Sequence, residues 1–200
     1  MREAYFNFKE KYNVVDKLYQ DWRYIAFHLP YAFQGKRMFN DVFALENGED
    51  NSNDHLKIVA KSEGYKSLVA EKLEATQRAS SEIGNMYTAS IFTALVSALQ
   101  VSFDQNEELT GQKIGFIGYG SGSKSKVFEG TVASTWKEVM SKVNLFEELN
   151  QRQELTYDQY VDLHNKSLKE PISSRNGFVL DRIEKEIVNL EGARYYSYKS

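Results

Sequence analysis

The run Lys113-Ile114-Gly115-Phe116-Ile117-Gly118-Tyr119 is apolar on both alternating sets of side chains and ends in glycines. A strand with one wet face alternates apolar and polar residues. A strand without that alternation is covered on both sides. Shortly before it, residues 86–100 are apolar nearly all round and carry Ala89, Ser90, Ala94, Ser97 and Ala98. Such a segment reads as a buried helix whose small residues permit close packing. A doubly covered strand beside a buried helix calls for a layered fold, and the class expected is α/β.

The rest of the chain fits that frame. Residues 2–18 place Phe6, Tyr12, Val15 and Leu18 at helical spacing. Residues 23–27, Arg-Tyr-Ile-Ala-Phe, read as a strand. It is stopped at His28-Leu29-Pro30, because proline lacks a donor and biases Leu29 away from helix. A helix is expected over 31–43 and a turn-rich acidic loop over 46–54. A helix over 66–81 would bury Leu68, Val69, Leu73 and Ala75. Residues 126–134 alternate and are placed to pair with the apolar strand across a turn at 118–125. Helices are expected at 136–148, 156–166 and 178–190, and a final aromatic strand at 194–198.

Composition narrows the function. The net charge is −3, which argues against a general nucleic-acid binder. The chain has no cysteine, which removes disulfides and thiolate-ligated metals. The start at Met1-Arg2-Glu3 has no apolar signal core. No apolar run nears the roughly 20 residues a membrane span needs. A cytoplasmic chain is expected, with no membrane or nucleic-acid partner.

Three places have the chemistry of a site. His28 ends a strand, where α/β proteins build their crevices, and imidazole titrates near neutrality. The other reading is a histidine satisfied by backbone bonds. Asn85, between Gly84 and the buried helix, is a natural N-cap. Its amide is equally able to orient a substrate oxygen. Gly118-Tyr119-Gly120-Ser121-Gly122-Ser123 resembles a phosphate-cradling loop, but the third glycine position holds Ser123 and no helix follows. By itself it is a tight turn between two strands. Lys36 and Arg37 form a charged helix face that is also able to meet phosphate. His55 and His164 lack partners at metal spacing and read as solvated; no metal ligand set is expected.

Taken together and in this order, these segments resemble hydroxymethylglutaryl-CoA synthase. The residues that carry the resemblance are Phe27-His28-Leu29-Pro30-Tyr31 with Gly35-Lys36-Arg37, then Gly84-Asn85-Met86-Tyr87-Thr88-Ala89-Ser90, then Tyr119-Gly120-Ser121-Gly122-Ser123. The resemblance implies a thiolase-like fold, with residues 1–200 as the C-terminal half of a five-layer αβαβα sandwich. It implies condensation of acetyl-CoA with acetoacetyl-CoA to 3-hydroxy-3-methylglutaryl-CoA, with no cofactor beyond these substrates. His28 would bind and polarise the acetoacetyl group. Asn85 would hold the substrate, Ser121 would line the acyl pocket, and Lys36 and Arg37 would meet the CoA phosphates.

Two departures from the family's pattern qualify this. The lysine usual five residues after the histidine is Phe33 here, while Arg37 keeps the next basic position. The nucleophilic cysteine and the glutamate that handles protons belong to the N-terminal half, which is missing from this chain. No other side chain matches a thiolate as a nucleophile at neutral pH, so these 200 residues alone are expected to be inactive. The expected partners are acyl-CoA substrates, the missing N-terminal half and a second copy in a homodimer. Two alternatives stay open. One is a related synthase that methyl-branches a carrier-bound ketide; the other is a non-catalytic assembly partner of a cysteine-bearing subunit.

Overall fold

The computed structural model describes residues 1–120, 122, 124–168, 172 and 177–199. It divides into two compact units, Met1–Gln151 and Arg152–Ser200.

The first unit is built on a sheet ordered β1 (Trp22–Phe27), β2 (Lys113–Gly120) and β3 (Lys124–Thr131). β1 and β2 are parallel, and β2 and β3 form an antiparallel hairpin. A parallel pair needs a long crossover. Here it contains α2 (Gln34–Glu46), α3 (Asn53–Val59), α4 (Glu63–Lys72), α5 (Glu74–Ile83) and α6 (Ser90–Asp104). α1 (Arg2–Lys11) precedes the sheet, and α7 (Trp136–Met140) and α8 (Leu145–Asn150) follow it.

Both faces of β1 and of the first half of β2 are covered, as the apolar run on β2 requires. On one face Trp22 and Phe27 meet Tyr5 of α1 and Phe39 of α2 through edge-on ring contacts 5.9–6.0 Å between centroids. On the other, Tyr24 exchanges a 2.6 Å hydrogen bond with Ser102 of α6. Ala94 and Ala98 of α6 are fully buried, their small size allowing that helix close approach. The outer edge of β1 is closed by side chains. Lys72 donates to the Trp22 carbonyl, and Thr76 donates to that of Ile25 at 3.2 Å. Unpaired strand carbonyls are thereby satisfied without another strand.

That edge explains one difference from the expected elements. Residues 66–81 form two helices, broken at the buried Leu73, so that Lys72 and Thr76 both reach β1. The first helix stops at Lys11, with Asn13 at φ 53°; Tyr5 is its fully buried anchor and Phe6 and Phe8 pack against the core, while of the expected face Leu18 is buried and Tyr12 and Val15 are exposed. Asn144, at φ 47°, likewise separates α7 from α8. α3 begins inside what reads as a loop.

The second unit holds α9 (Tyr157–His164) and a hairpin of β4 (Gly177–Ile183) and β5 (Arg194–Lys199). α9 opens on a reciprocal capping box between Thr156 and Gln159. The helix expected over 178–190 is a strand followed by a short 3-10 turn at Val188–Leu190. Cross-strand pairing decides this. Phe178 meets Tyr198 edge-on at 5.4 Å, and the Arg182 guanidinium lies 3.9 Å from the Tyr195 ring centroid. The Glu184 carboxylate accepts from the N–H groups of Lys185 and Glu186 and pairs with Arg182 at 2.9 Å, fixing the chain as it leaves β4.

Candidate active site

His28 stands just past the carboxyl end of β1, where its N–H extends the parallel ladder to the Ile117 carbonyl at 3.1 Å. Its Nδ1 lies 2.8 Å from Ser90 Oγ at the start of α6. The same Oγ accepts the Leu29 N–H at 3.0 Å. The Tyr119 ring, from the end of β2, meets the imidazole edge-on at 5.3 Å. Burial raises the Tyr119 hydroxyl above the usual phenol range.

The three sequence segments therefore converge, but through members that their spacing did not single out. Ser90 reads in the sequence as a small packing residue and Tyr119 as part of a turn. No pattern in the sequence marks either as a partner of His28, because both contacts depend on the crossover returning α6 and β2 beside β1.

Asn85 lies in the exposed turn between α5 and α6 and does not cap α6, whose N-cap residue is Ala89. Its Oδ1 accepts the Tyr87 N–H at 2.8 Å, holding a 3-10 turn at Tyr87–Ala89. Tyr87 sits at φ 50°, a conformation uncommon for a non-glycine residue. With Oδ1 engaged, the amide offers Nδ2 as a donor. Ser121 and Ser123 lie outside the described residues. The antiparallel pairing of β2 with β3 confirms the hairpin that flanks them.

Lys36 and Arg37 lie on the first turns of α2. They line a cavity of about 740 Å³ between α2, α3 and α4, with Asn40, Lys57 and Lys66, and His28 is not among its lining residues. The Lys36 ammonium stands 4.4 Å from the centroid of the Phe33 ring. Arg37 donates to the Tyr31 hydroxyl at 3.0 Å. A second cavity, of about 530 Å³, borders the hairpin at Gly118, Tyr119, Lys124, Ser125 and Lys126. His55 is not simply solvated, since its Nε2 pairs with Glu49 at 2.9 Å. His164 is exposed and stacks on Tyr160.

A family described as the C-terminal region of hydroxymethylglutaryl-coenzyme A synthase matches residues 57–197, most of the chain. The chain belongs to this family. The match begins after His28 and Arg37, and takes in the 84–90 segment and the hairpin. A hydroxymethylglutaryl-CoA synthase of Haloferax volcanii is 28% identical over 125 residues, covering 62% of this chain and 28% of the relative. The solved structure of MvaS in complex with 3-hydroxy-3-methylglutaryl coenzyme A is similar over 90% of this chain and 42% of that one, at 26% identity and a TM-score of 0.66. The curacin-pathway HMG synthase in complex with holo donor-ACP, 18% identical, shares the fold over 98% of this chain and 47% of that one, at a TM-score of 0.72. The fold is therefore thiolase-like and mixed α/β. The chain spans less than half the length of each of these three proteins. Among the described residues no helix is long and apolar enough to cross a membrane.

Proposed function

We propose that this chain is the substrate-binding, C-terminal half of a hydroxymethylglutaryl-CoA synthase, acting with a cysteine-bearing N-terminal half. That half would carry an acetyl group as a thioester, and this chain would present acetoacetyl-CoA to it. The observation that carries the reading is the setting of His28 between Ser90 and Tyr119, at the end of a strand and beside the hairpin. An imidazole held there can donate to a substrate carbonyl and stabilise charge that develops on its oxygen. Asn85 Nδ2 is a second donor of the same kind. Lys36 and Arg37 supply cations for the CoA phosphates.

The need for a second half rests on chemistry and on surface. This chain has no thiol to form the acyl-enzyme. Around the site Tyr31, Phe33, Tyr87 and Phe92 are 43–76% exposed, an apolar surface suited to cover by another segment. A second substrate reading draws on Phe33, an aromatic ring where the family's pattern has a lysine: the acyl group would arrive on a carrier protein instead of CoA. Mass analysis of the product separates the two. With the halves combined, acetyl-CoA and acetoacetyl-CoA should give 3-hydroxy-3-methylglutaryl-CoA. Product from a carrier-borne acetoacetyl group alone would select the second reading, and product from neither would reject both.

A further inference from the structure

We propose that Ser90 is the positioning residue that sets the tautomer of His28, keeping the proton of the neutral imidazole on Nε2. Ser90 is 1% exposed, so its hydroxyl must find its partners within the protein. A hydroxyl has one proton and two lone pairs. One lone pair takes the Leu29 N–H at 3.0 Å. Among the described residues, the one acceptor within hydrogen-bond reach of the proton is His28 Nδ1, 2.8 Å away. Nδ1 is therefore an acceptor. In a neutral imidazole the other nitrogen then carries the hydrogen. The opposite tautomer would place two donors on Ser90 Oγ and leave its own proton buried without an acceptor.

Two further contacts keep the arrangement in place. The His28 N–H is tied to the Ile117 carbonyl, which fixes the backbone from which the ring projects. The Tyr119 ring packs edge-on against the imidazole and limits its rotation. Among the described residues Nε2 itself takes part in no hydrogen bond, which leaves its N–H for a ligand. On the synthase reading, on which this consequence rests, neutral His28 meets the acetoacetyl carbonyl as a donor and not as a base. The serine thus selects polarisation over proton abstraction at this position.

The test is nitrogen-15 NMR of the neutral imidazole in this chain, with His28→Asn used to assign its signals among the three histidines. The expected spectrum shows protonated Nε2, and Nδ1 shifted as an acceptor in a hydrogen bond. In Ser90→Ala the Nδ1 shift should move to that of an unbonded nitrogen and the Nε2–H share should fall toward that of free imidazole. Ser90→Thr, which keeps the hydroxyl, should restore both. Protonated Nδ1 in the wild type would overturn the proposal, as would an unchanged imidazole spectrum in a folded Ser90→Ala. If Ser90→Ala does not fold, the wild-type Nδ1 shift decides, and an unbonded value overturns it. No substrate is used, so failure of the synthase reading would appear separately, as absence of product with the tautomer fixed.

Discussion

Trp22 closes over Gly115: a Cβ added at position 115 would lie 2.1 Å from the indole Cε3. The indole has no room to yield. It is fully buried, and its Nε1 donates to Glu129 at 3.0 Å. Gly115→Ala must displace the ring or break the β1–β2 register, at a cost of about 3 kcal/mol or more by analogy with overpacked cores. Urea unfolding should show a lower midpoint with an unchanged slope. A midpoint within error of the wild type would mean that the strand and ring do not meet in this way.

Acid should weaken the fold through Glu108. Its carboxylate accepts the Thr110 N–H at 2.7 Å and the Trp136 indole N–H at 3.4 Å, and Lys137 lies at 3.5 Å. The Thr110 hydroxyl, first among the causes, and then these contacts hold the carboxyl at about 2, below its usual 4.5. A carboxyl lowered on folding stabilises above its unfolded value, and that stabilisation is lost as pH falls through the folded one. The loss therefore falls between about pH 4.5 and about pH 2. Denaturation midpoints across that window should drop less steeply in Glu108→Gln than in the wild type. Parallel slopes would remove Glu108 from the acid response.

Much of this was legible in the sequence, for identifiable reasons. The run at 113–119 announces a strand covered on both faces because burial leaves no alternation. Helix 86–100 announces itself by its small residues, although a 3-10 turn takes up its first residues. His28 is marked by the proline that stops β1 two residues later. What the sequence did not reveal depends on distant partners. The break at Leu73 exists because Lys72 and Thr76 serve β1. The strand at 177–183 exists because β5 supplies aromatic partners, whereas its own residues suit a helix about as well. Ser90 and Tyr119 become neighbours of His28 only once the crossover is folded.

Lys36 and Arg37 should govern affinity for the nucleotide end of the substrate rather than the chemistry. In the reconstituted enzyme, Arg37→Ala should raise KM for acetoacetyl-CoA by about tenfold, the usual scale for losing one charged hydrogen bond. It should leave kcat nearly unchanged. An acetoacetyl thioester lacking the nucleotide should not distinguish the variant from the wild type. A fall in kcat with KM intact would place Arg37 at the acyl site instead. Lys36→Ala tests whether the ammonium over Phe33 supplies the cation that Phe33 lacks.

The isolated chain should self-associate, because Tyr31, Phe33, Tyr87 and Phe92 expose apolar surface around the site. Sedimentation velocity should show species larger than the monomer, and adding the cysteine-bearing half should convert them to a defined complex. A monodisperse monomer on its own would contradict this.

The most direct test is turnover by the two halves together. This chain is mixed with a separately expressed cysteine-bearing half, supplied with acetyl-CoA and acetoacetyl-CoA, and the acetoacetyl enolate absorbance is followed. The expected result is a decay that needs both halves and slows by about 10²–10³-fold in His28→Ala, the scale seen when one donor to a developing oxyanion is lost. An enolate signal that stays constant, although the halves associate and the cysteine is acetylated, would contradict the assignment of this chain as the substrate-binding half of the synthase.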